Sequence, residues 1–233
     1  MKILVLGGSG TQGRTTIVDL LSDPAVERVI CADRDFGPLE KIAPFIPGEK
    51  LSRAKLDVSD HRELTALFDD VDVAIDLLPV EFQSAICRIA LETGVSVIHT
   101  NYTYAAAELD EAAQRAGISI MPECGLDPGI DLVLYGRACR QFDTVQTILS
   151  YCGGFPEKRA CDNPLNYKLS WIWRTVLSST MREGRIIRDS KVINISAERQ
   201  HDTEFVHAID FPGLGKLEAI PNGDAIFFTD LLG

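Results

Sequence analysis

No apolar stretch in this 233-residue chain approaches the roughly 18 to 20 residues of a membrane-spanning helix, so no membrane partner is expected. The first residues, Met1-Lys2-Ile3-Leu4-Val5-Leu6-Gly7, run straight into a strand and a glycine turn. They lack the longer apolar region and small-residue cleavage site of a signal peptide, and a cytoplasmic location is expected. Dense blocks of Lys and Arg are missing as well. With 23 basic against 34 acidic residues and a formal net charge of −11, the chain offers no basic face to phosphates, which argues against nucleic acid as a partner. None of the six cysteines, at 31, 87, 124, 139, 152 and 161, forms a C-x-x-C pair, and the nearest two, Cys152 and Cys161, are nine apart. That spacing suggests neither a zinc site nor a disulfide framework, and reduced thiols are expected. Internal repeats and low-complexity segments are absent too.

What is present is ordinary globular material, 45% hydrophobic and 24% charged, in a chain longer than one typical domain and short for two. Apolar runs rich in β-formers predict strands at Ile3 to Leu6, Val29 to Ala32, Leu51 to Leu56, Val71 to Asp76, Val95 to His99 and Ile118 to Met121. Between them lie helical segments, Arg14 to Leu21, Pro38 to Ala43, a helix capped from Asp57-Val58-Ser59-Asp60 through Phe68, and Glu81 to Glu92 with Gly94 as its stop. An alanine-rich helix from about Ala105 to Ala116 ends at Gly117. Strands alternating with helices of about 10 residues imply βαβ units with right-handed crossovers. The expected fold is therefore α/β, a doubly wound, mainly parallel Rossmann-type sheet over residues 1–125.

The alternation changes after residue 125. Asp127-Pro128 predicts a helix start, running through about Cys139, and Val145 to Tyr151 reads as a strand. Cys152 to Ser170 is loop-like, a helix follows around Trp171 to Met181, and Arg185 to Ile195, Thr203 to Ile209 and Lys216 to Ile220 read as antiparallel strands. Residues 126–233 are expected to form a second, α+β domain with a mainly antiparallel sheet.

Gly8-Ser9-Gly10-Thr11-Gln12-Gly13 stands between the first predicted strand and helix. In this pattern Gly8 permits the tight turn, Gly10 lets backbone approach a pyrophosphate, and Gly13 allows close packing of helix on strand. The helix N-terminus turns its N–H groups and positive dipole end toward the phosphates. Asp33, 20 residues beyond Gly13 at the end of the second strand, can accept hydrogen bonds from ribose hydroxyls. A carboxylate there repels the 2′-phosphate of NADP and favours NAD. Arg34 or Arg14 can instead pair with that phosphate, so NADP stays open.

Three further motifs follow in order: Pro122-Glu123-Cys124-Gly125-Leu126-Asp127-Pro128-Gly129-Ile130-Asp131, Cys152-Gly153-Gly154-Phe155-Pro156, and Asn163-Pro164-Leu165-Asn166-Tyr167-Lys168-Leu169-Ser170-Trp171. Behind the cofactor turn, they make essentially the whole chain resemble the saccharopine dehydrogenase family. The resemblance implies an NAD(P)-linked oxidoreductase acting on the carbon–nitrogen bond of an amino acid or imine. Saccharopine reductases reduce an imine formed from an aldehyde and glutamate, and lysine 6-dehydrogenase runs oxidatively on a free amino acid. It also implies that Tyr102, Asp127, Cys152 and Arg174 face the substrate while Leu77 and Pro79 line the nicotinamide side. Asn166 departs from a usual glycine, and Ile172-Trp173-Arg174-Thr175 is bulkier than the common Ser-x-Arg-Gly, so the substrate is not carried over. Family members continue beyond the point matching Gly233, so the chain is expected to be a shortened member or incomplete at its C-terminal side. In that case the strands after residue 185 present edges and apolar faces that need cover, and a homodimer through them is expected.

On their own chemistry the candidates carry more than one reading. Asp127 before Pro128 suits a helix cap with Pro in the first turn, or substrate contact, or both. Arg174 can clamp a carboxylate bidentately or lie on the surface with a snorkelling stem. Tyr102 can hold a substrate group or be a half-buried tyrosine, and Cys152 can be a small packing residue. His99, ending a strand and titrating near neutral pH, is the generic acid/base candidate, though a lone histidine also serves structurally. Hydride transfer asks the protein mainly for positioning, plus one proton-transfer group or ordered water near the nicotinamide, which no residue pattern identifies. The alternative from another class is a dinucleotide-sensing regulator resembling the NmrA-like branch of the short-chain dehydrogenases, whose glycine turn is similar. The Tyr-x-x-x-Lys of active short-chain enzymes is absent here. A third reading is an inactive remnant or assembly subunit that keeps only the fold.

Overall fold

A β-former run becomes a doubly buried strand only when apolar helices cover both of its faces, and the first half of the chain supplies them. The computed structural model describes residues 1–46, 48–102, 109–168, 172–226 and 229. Its chain divides into two compact units, Met1–Asp131 and Leu132–Gly233.

In the first unit, strands β1 (Lys2–Leu6), β2 (Arg28–Asp33), β3 (Leu51–Lys55), β4 (Val73–Asp76), β5 (Ser96–His99) and β6 (Ile120–Met121) form one parallel sheet in the order β3-β2-β1-β4-β5-β6. The period of two along β1 sorts its side chains. Ile3 and Val5 pack with Ile17 and Leu21 of α1 (Thr11–Ser22) and with Leu39 of the short α2 (Gly37–Glu40). Leu4 and Leu6 point to the other face, against Leu64 and Phe68 of α3 (His61–Phe68) and Ile86, Ile89 and Ala90 of α4 (Gln83–Thr93). Each of the large apolar side chains among these contributes about 1.5–3 kcal/mol. The cap expected before α3 is Asp60, whose Oδ1 accepts from Arg62 N (3.1 Å) and Glu63 N (3.0 Å). Gly94 and Gly117 end α4 and α5 (Asp110–Ala116) as expected. The start of the helix expected from Ala105 falls on residues outside the described ones.

The second helix expected, Pro38 to Ala43, is shorter: α2 stops at Glu40 and a 3-10 turn follows at Ala43–Phe45. The helix expected from Glu81 opens instead with a 3-10 turn, Val80–Phe82, before α4.

The chain enters the second unit along α6 (Ile130–Cys139), and α7 (Trp173–Ser179) follows the long loop. The stretch Arg185 to Ile195 is a hairpin rather than one strand. Strands β7 (Gly184–Arg188) and β8 (Lys191–Ile195) are joined through Asp189 and Ser190, both at positive φ, as a tight right-twisting turn requires. In a second antiparallel pair, β9 (His207–Phe211) lies later than the expected Thr203 to Ile209, and β10 (Gly215–Ala219) lies one residue earlier than the expected Lys216 to Ile220. Residues 203–205 form a turn that buries Phe205, over whose ring the guanidinium groups of Arg188 and Arg199 lie at 5.6 and 5.1 Å. Gln200 ties this unit together. Its Nε2 donates to Ser179 O (2.9 Å) and Pro221 O (2.7 Å), and its Oε1 accepts from Arg182 N (3.1 Å).

The strand expected at Val145 to Tyr151 does not form. No described strand pairs with it, and an unpaired run of β-formers has no ladder to hold it; Leu149 is 71% exposed. Among the described residues, no helix is long and apolar enough to cross a membrane.

Candidate cofactor site

The loop between β1 and α1 is built by close approaches. Gly7 turns at φ +71°, and its N–H donates to Ala32 O at 2.9 Å. A Cβ on Gly8 would stand 2.7 Å from Cys31 Sγ, and one on Gly13 would stand 2.4 Å from Gly7 O. Gly10 differs, since a Cβ there would meet only Gly7 O at 3.1 Å, so its outer side is open for a phosphate to approach. Gly10 is the N-cap of α1 without a side-chain cap, no acidic residue stands in the first turn, and Thr11 and Gln12 are exposed. The end of α1 is thus left to an anion, and these residues fit the pyrophosphate of a dinucleotide. Ser9 is the exception within the motif. Its side chain is buried, its Oγ accepts from Leu39 N (3.2 Å), and it braces α2 rather than facing outward.

Asp33 ends β2 beside this turn. Its Oδ2 accepts from Ser9 N (3.0 Å) and its Oδ1 from Asp35 N (3.3 Å), which aims a half-buried carboxylate along the edge where the adenosine ribose would lie. Arg34 is exposed next to it. Arg14 Nη1 donates to Ser9 O at 3.3 Å and lies over the turn.

The strand order reverses between β1 and β4, so the crevice of this sheet opens above their carboxyl ends. There the segment Leu77-Leu78-Pro79 makes a shelf against the turn. Leu77 N donates to Leu6 O (3.1 Å), and the space beside Gly7 is closed by Leu77 O, 3.1 Å from where a Cβ would be. Leu77 and Leu78 therefore stand beside the glycine turn, and Pro79 follows them in the chain. The Leu78 peptide is held at both ends, its N–H donating to Asp76 Oδ1 (3.0 Å) and its carbonyl accepting from Asn101 Nδ2 (3.3 Å). Asn101 also accepts Glu123 N–H on its own carbonyl at 3.0 Å, so it joins the loops after β4, β5 and β6. Sequence reasoning missed both Asp76 and Asn101; a carboxylate ending the apolar Val73–Ile75 run was the available signal.

Asp76 and His99 are register partners, both 0% exposed, on the face covered by α4. Burial pushes the Asp76 carboxyl up to about 6, opposed by the bond from Leu78 N–H. Among the described residues, its Oδ2 has no hydrogen-bond partner. Burial lowers the His99 imidazole, whose ring nitrogens lie 3.1 and 3.0 Å from Gln83 Nε2. The same amide donates to the carbonyl of the half-buried Tyr102 at 2.9 Å.

The Asp127 region departs from expectation. The Asp127–Pro128 peptide is cis. α6 begins only at Ile130, so Pro128 lies before its first turn. The segment closes on itself instead. Gly125 N donates to Pro128 O (3.1 Å), Ile130 N to Gly125 O (3.0 Å), and Gly129 N to Asp131 Oδ1 (2.7 Å). A Cβ on Gly129, at φ +148°, would fall 2.1 Å from Gly125 O, which reserves the position for glycine. Asp127 itself is exposed on this loop. Cys152 and Arg174 belong to the second unit, the first exposed in the long loop and the second exposed in the first turn of α7. Among the described residues, Arg174 has no ion pair, and no cluster of His, Cys, Asp or Glu can hold a metal ion. Leu169, Ser170 and Trp171 of the third motif lie outside the described residues.

Two family models cover the chain in order, the saccharopine dehydrogenase NADP binding domain at residues 3–121 and the saccharopine dehydrogenase C-terminal domain at residues 125–233. Saccharopine dehydrogenase [NADP(+), L-glutamate-forming] of Pyricularia oryzae is 34% identical over 96% of this chain and 50% of its own length. The enzyme of that name from Saccharomyces cerevisiae is 34% identical over 99% of this chain and 51% of its own. The solved apo structure of saccharopine dehydrogenase (L-Glu forming) from Saccharomyces cerevisiae superposes with a TM-score of 0.82 at 31% identity, covering 99% of this chain and 52% of that one. The chain thus spans about half the length of the curated fungal relatives it matches.

Proposed function

Because this chain belongs to the saccharopine dehydrogenase family, we propose that it works in an NAD(P)-dependent oxidoreductase that makes or breaks a carbon–nitrogen bond of an amino acid through its imine. The observation that carries the reading is an anion-ready glycine turn at the switch point of a β3-β2-β1-β4-β5-β6 sheet. When bound, the nicotinamide supplies the hydride chemistry. The residues assigned to the dinucleotide are Gly8, Gly10, Thr11, Gln12, Gly13 and Asp33, with Leu77 and Pro79 beside the nicotinamide. Asp33 and Arg34 pull in opposite directions, the carboxylate toward the free 2′-hydroxyl of NAD and the guanidinium toward the 2′-phosphate of NADP. The relatives' names and the domain description put NADP first, with Asp33 narrowing that preference.

Asp127, Tyr102, Cys152 and Arg174 are assigned to the amino-acid substrate, Arg174 as the carboxylate clamp. His99, buried and with its imidazole pushed down by that burial, is assigned to supporting the crevice wall. Second copies of the chain pair through the exposed hairpins after residue 185, and a cytoplasmic location belongs to the same reading. The deciding assay follows reduced-nicotinamide absorbance with saccharopine, free lysine and semialdehyde–amine mixtures, using NADP and NAD in turn. Turnover with one of these supports the reading. Tight dinucleotide binding without turnover on any of them overturns it in favour of a sensor.

A further inference from the structure

We propose that Asp76 is a proton-linked positioning residue of the dinucleotide site: it anchors the Leu77–Pro79 shelf through Leu78 N–H and takes up a proton when phosphates settle on the neighbouring turn. The inference rests on the cofactor reading above and assigns a role to a residue outside the glycine motif. Asp76 is paired in register with Leu6, the last residue before the turn. Adjacent parallel strands lie about 4.8 Å apart, so Asp76 stands one strand over from the residue that leads into the glycine turn. One carboxyl oxygen is committed to Leu78 N–H at 3.0 Å. The other is buried with no partner, and a buried acceptor left unpaired is the place where a proton settles most easily. At an effective dielectric of ~20, a second negative charge about 10 Å away changes the free energy enough to alter an equilibrium about tenfold. Protonating Asp76 removes that repulsion while its other oxygen still accepts from Leu78.

Among the described residues, the titratable groups facing Asp76 are Cys87 from α4 and His99 from β5; β1 brings only Leu4 and Leu6. Burial pushes the Cys87 thiol up to about 11 and the imidazole down, so burial disfavours the charged form of each. A one-unit rise on binding means uptake of about half a proton near pH 6.5 and about tenfold weaker binding at pH 8 than at pH 5. The test is calorimetric titration of NADP and NAD in buffers of different ionisation enthalpy, with wild type, Asp76→Asn and Asp76→Ala. Wild type should take up the proton, and Asp76→Asn should bind with none and lose the pH dependence, since its carbonyl still accepts from Leu78. Asp76→Ala, with the shelf unanchored, should bind several-fold more weakly at every pH. Wild-type binding without uptake overturns the inference even if no variant folds, and so does uptake that persists in Asp76→Asn. Failure of wild type to bind either dinucleotide overturns the cofactor reading and this inference with it.

Discussion

Replacing Asp76 by Asn should change how the stability of the first unit depends on pH. Burial carries the carboxyl from its usual 3.8 to about 6. A folded-state value above the unfolded one means that the fold holds this proton more tightly. Its contribution is fully present below about pH 4 and is lost as the pH rises through about 6. Two units correspond to about 3 kcal/mol, a large share of the roughly 5–15 kcal/mol that holds a domain together. The amide also places an N–H₂ where Oδ2 had no partner, at a cost of about 1–3 kcal/mol that does not vary with pH. That cost shifts the whole curve, and only the slope reports the ionisation. His99 acts in the opposite sense, since burial lowers it and its contribution is lost as the pH falls below its usual 6.5. Both proteins carry His99, so its effect largely cancels in the difference. Wild type should therefore lose about 3 kcal/mol relative to Asp76→Asn between about pH 4 and about pH 8. Both tryptophans, Trp171 and Trp173, lie in the second unit, so fluorescence does not follow this transition. Urea unfolding read by amide exchange in β4 and β5 does. Two stability–pH curves that run parallel would refute the reasoning.

Gly13→Ala would push a methyl to 2.4 Å from Gly7 O; it should cost about 1–3 kcal/mol of stability and abolish dinucleotide binding, with both read by thermal melts with and without NADP. Asp33→Ser should raise the NADP/NAD affinity ratio about tenfold or more, and Arg34→Ala should lower it, in parallel calorimetric titrations; an unchanged ratio in both removes them from the ribose edge. Arg174→Ala should raise KM by the equivalent of about 2–4 kcal/mol without weakening the dinucleotide, and Arg174→Lys should restore only part, because a bidentate fork is lost. Light scattering should give a homodimer whose mass halves when Val192 and Phe211, both exposed, are replaced by Glu; a monomer at micromolar concentration, unaffected by the changes, refutes that interface.

The regular half of this protein was legible residue by residue. Six apolar runs, a capping Asp60, stop glycines at 94 and 117 and a glycine turn placed after β1 are local features, each decided by neighbours within a few positions. The misreadings share a physical cause. Val145 to Tyr151 has the composition of a strand, but a strand exists only with a partner, and pairing is not a property of the segment. Asp127-Pro128 has the spelling of a helix start, yet Gly125 and Gly129 close a loop there that delays α6 to Ile130. The core of the candidate site was harder still. Asp76 and His99 are 23 positions apart, and nothing in either neighbourhood says that they share a buried edge. The sequence by itself determined the class of the fold, the cofactor turn and the family likeness, because those rest on local spacing and side-chain type. Only the tertiary structure decided that Asp76 is stripped of water with one oxygen unpaired, that Asn101 joins three loops, and that Ser9 faces inward. Burial and hydrogen-bond partners across strands arise from packing, and packing depends on contacts between residues far apart in the chain.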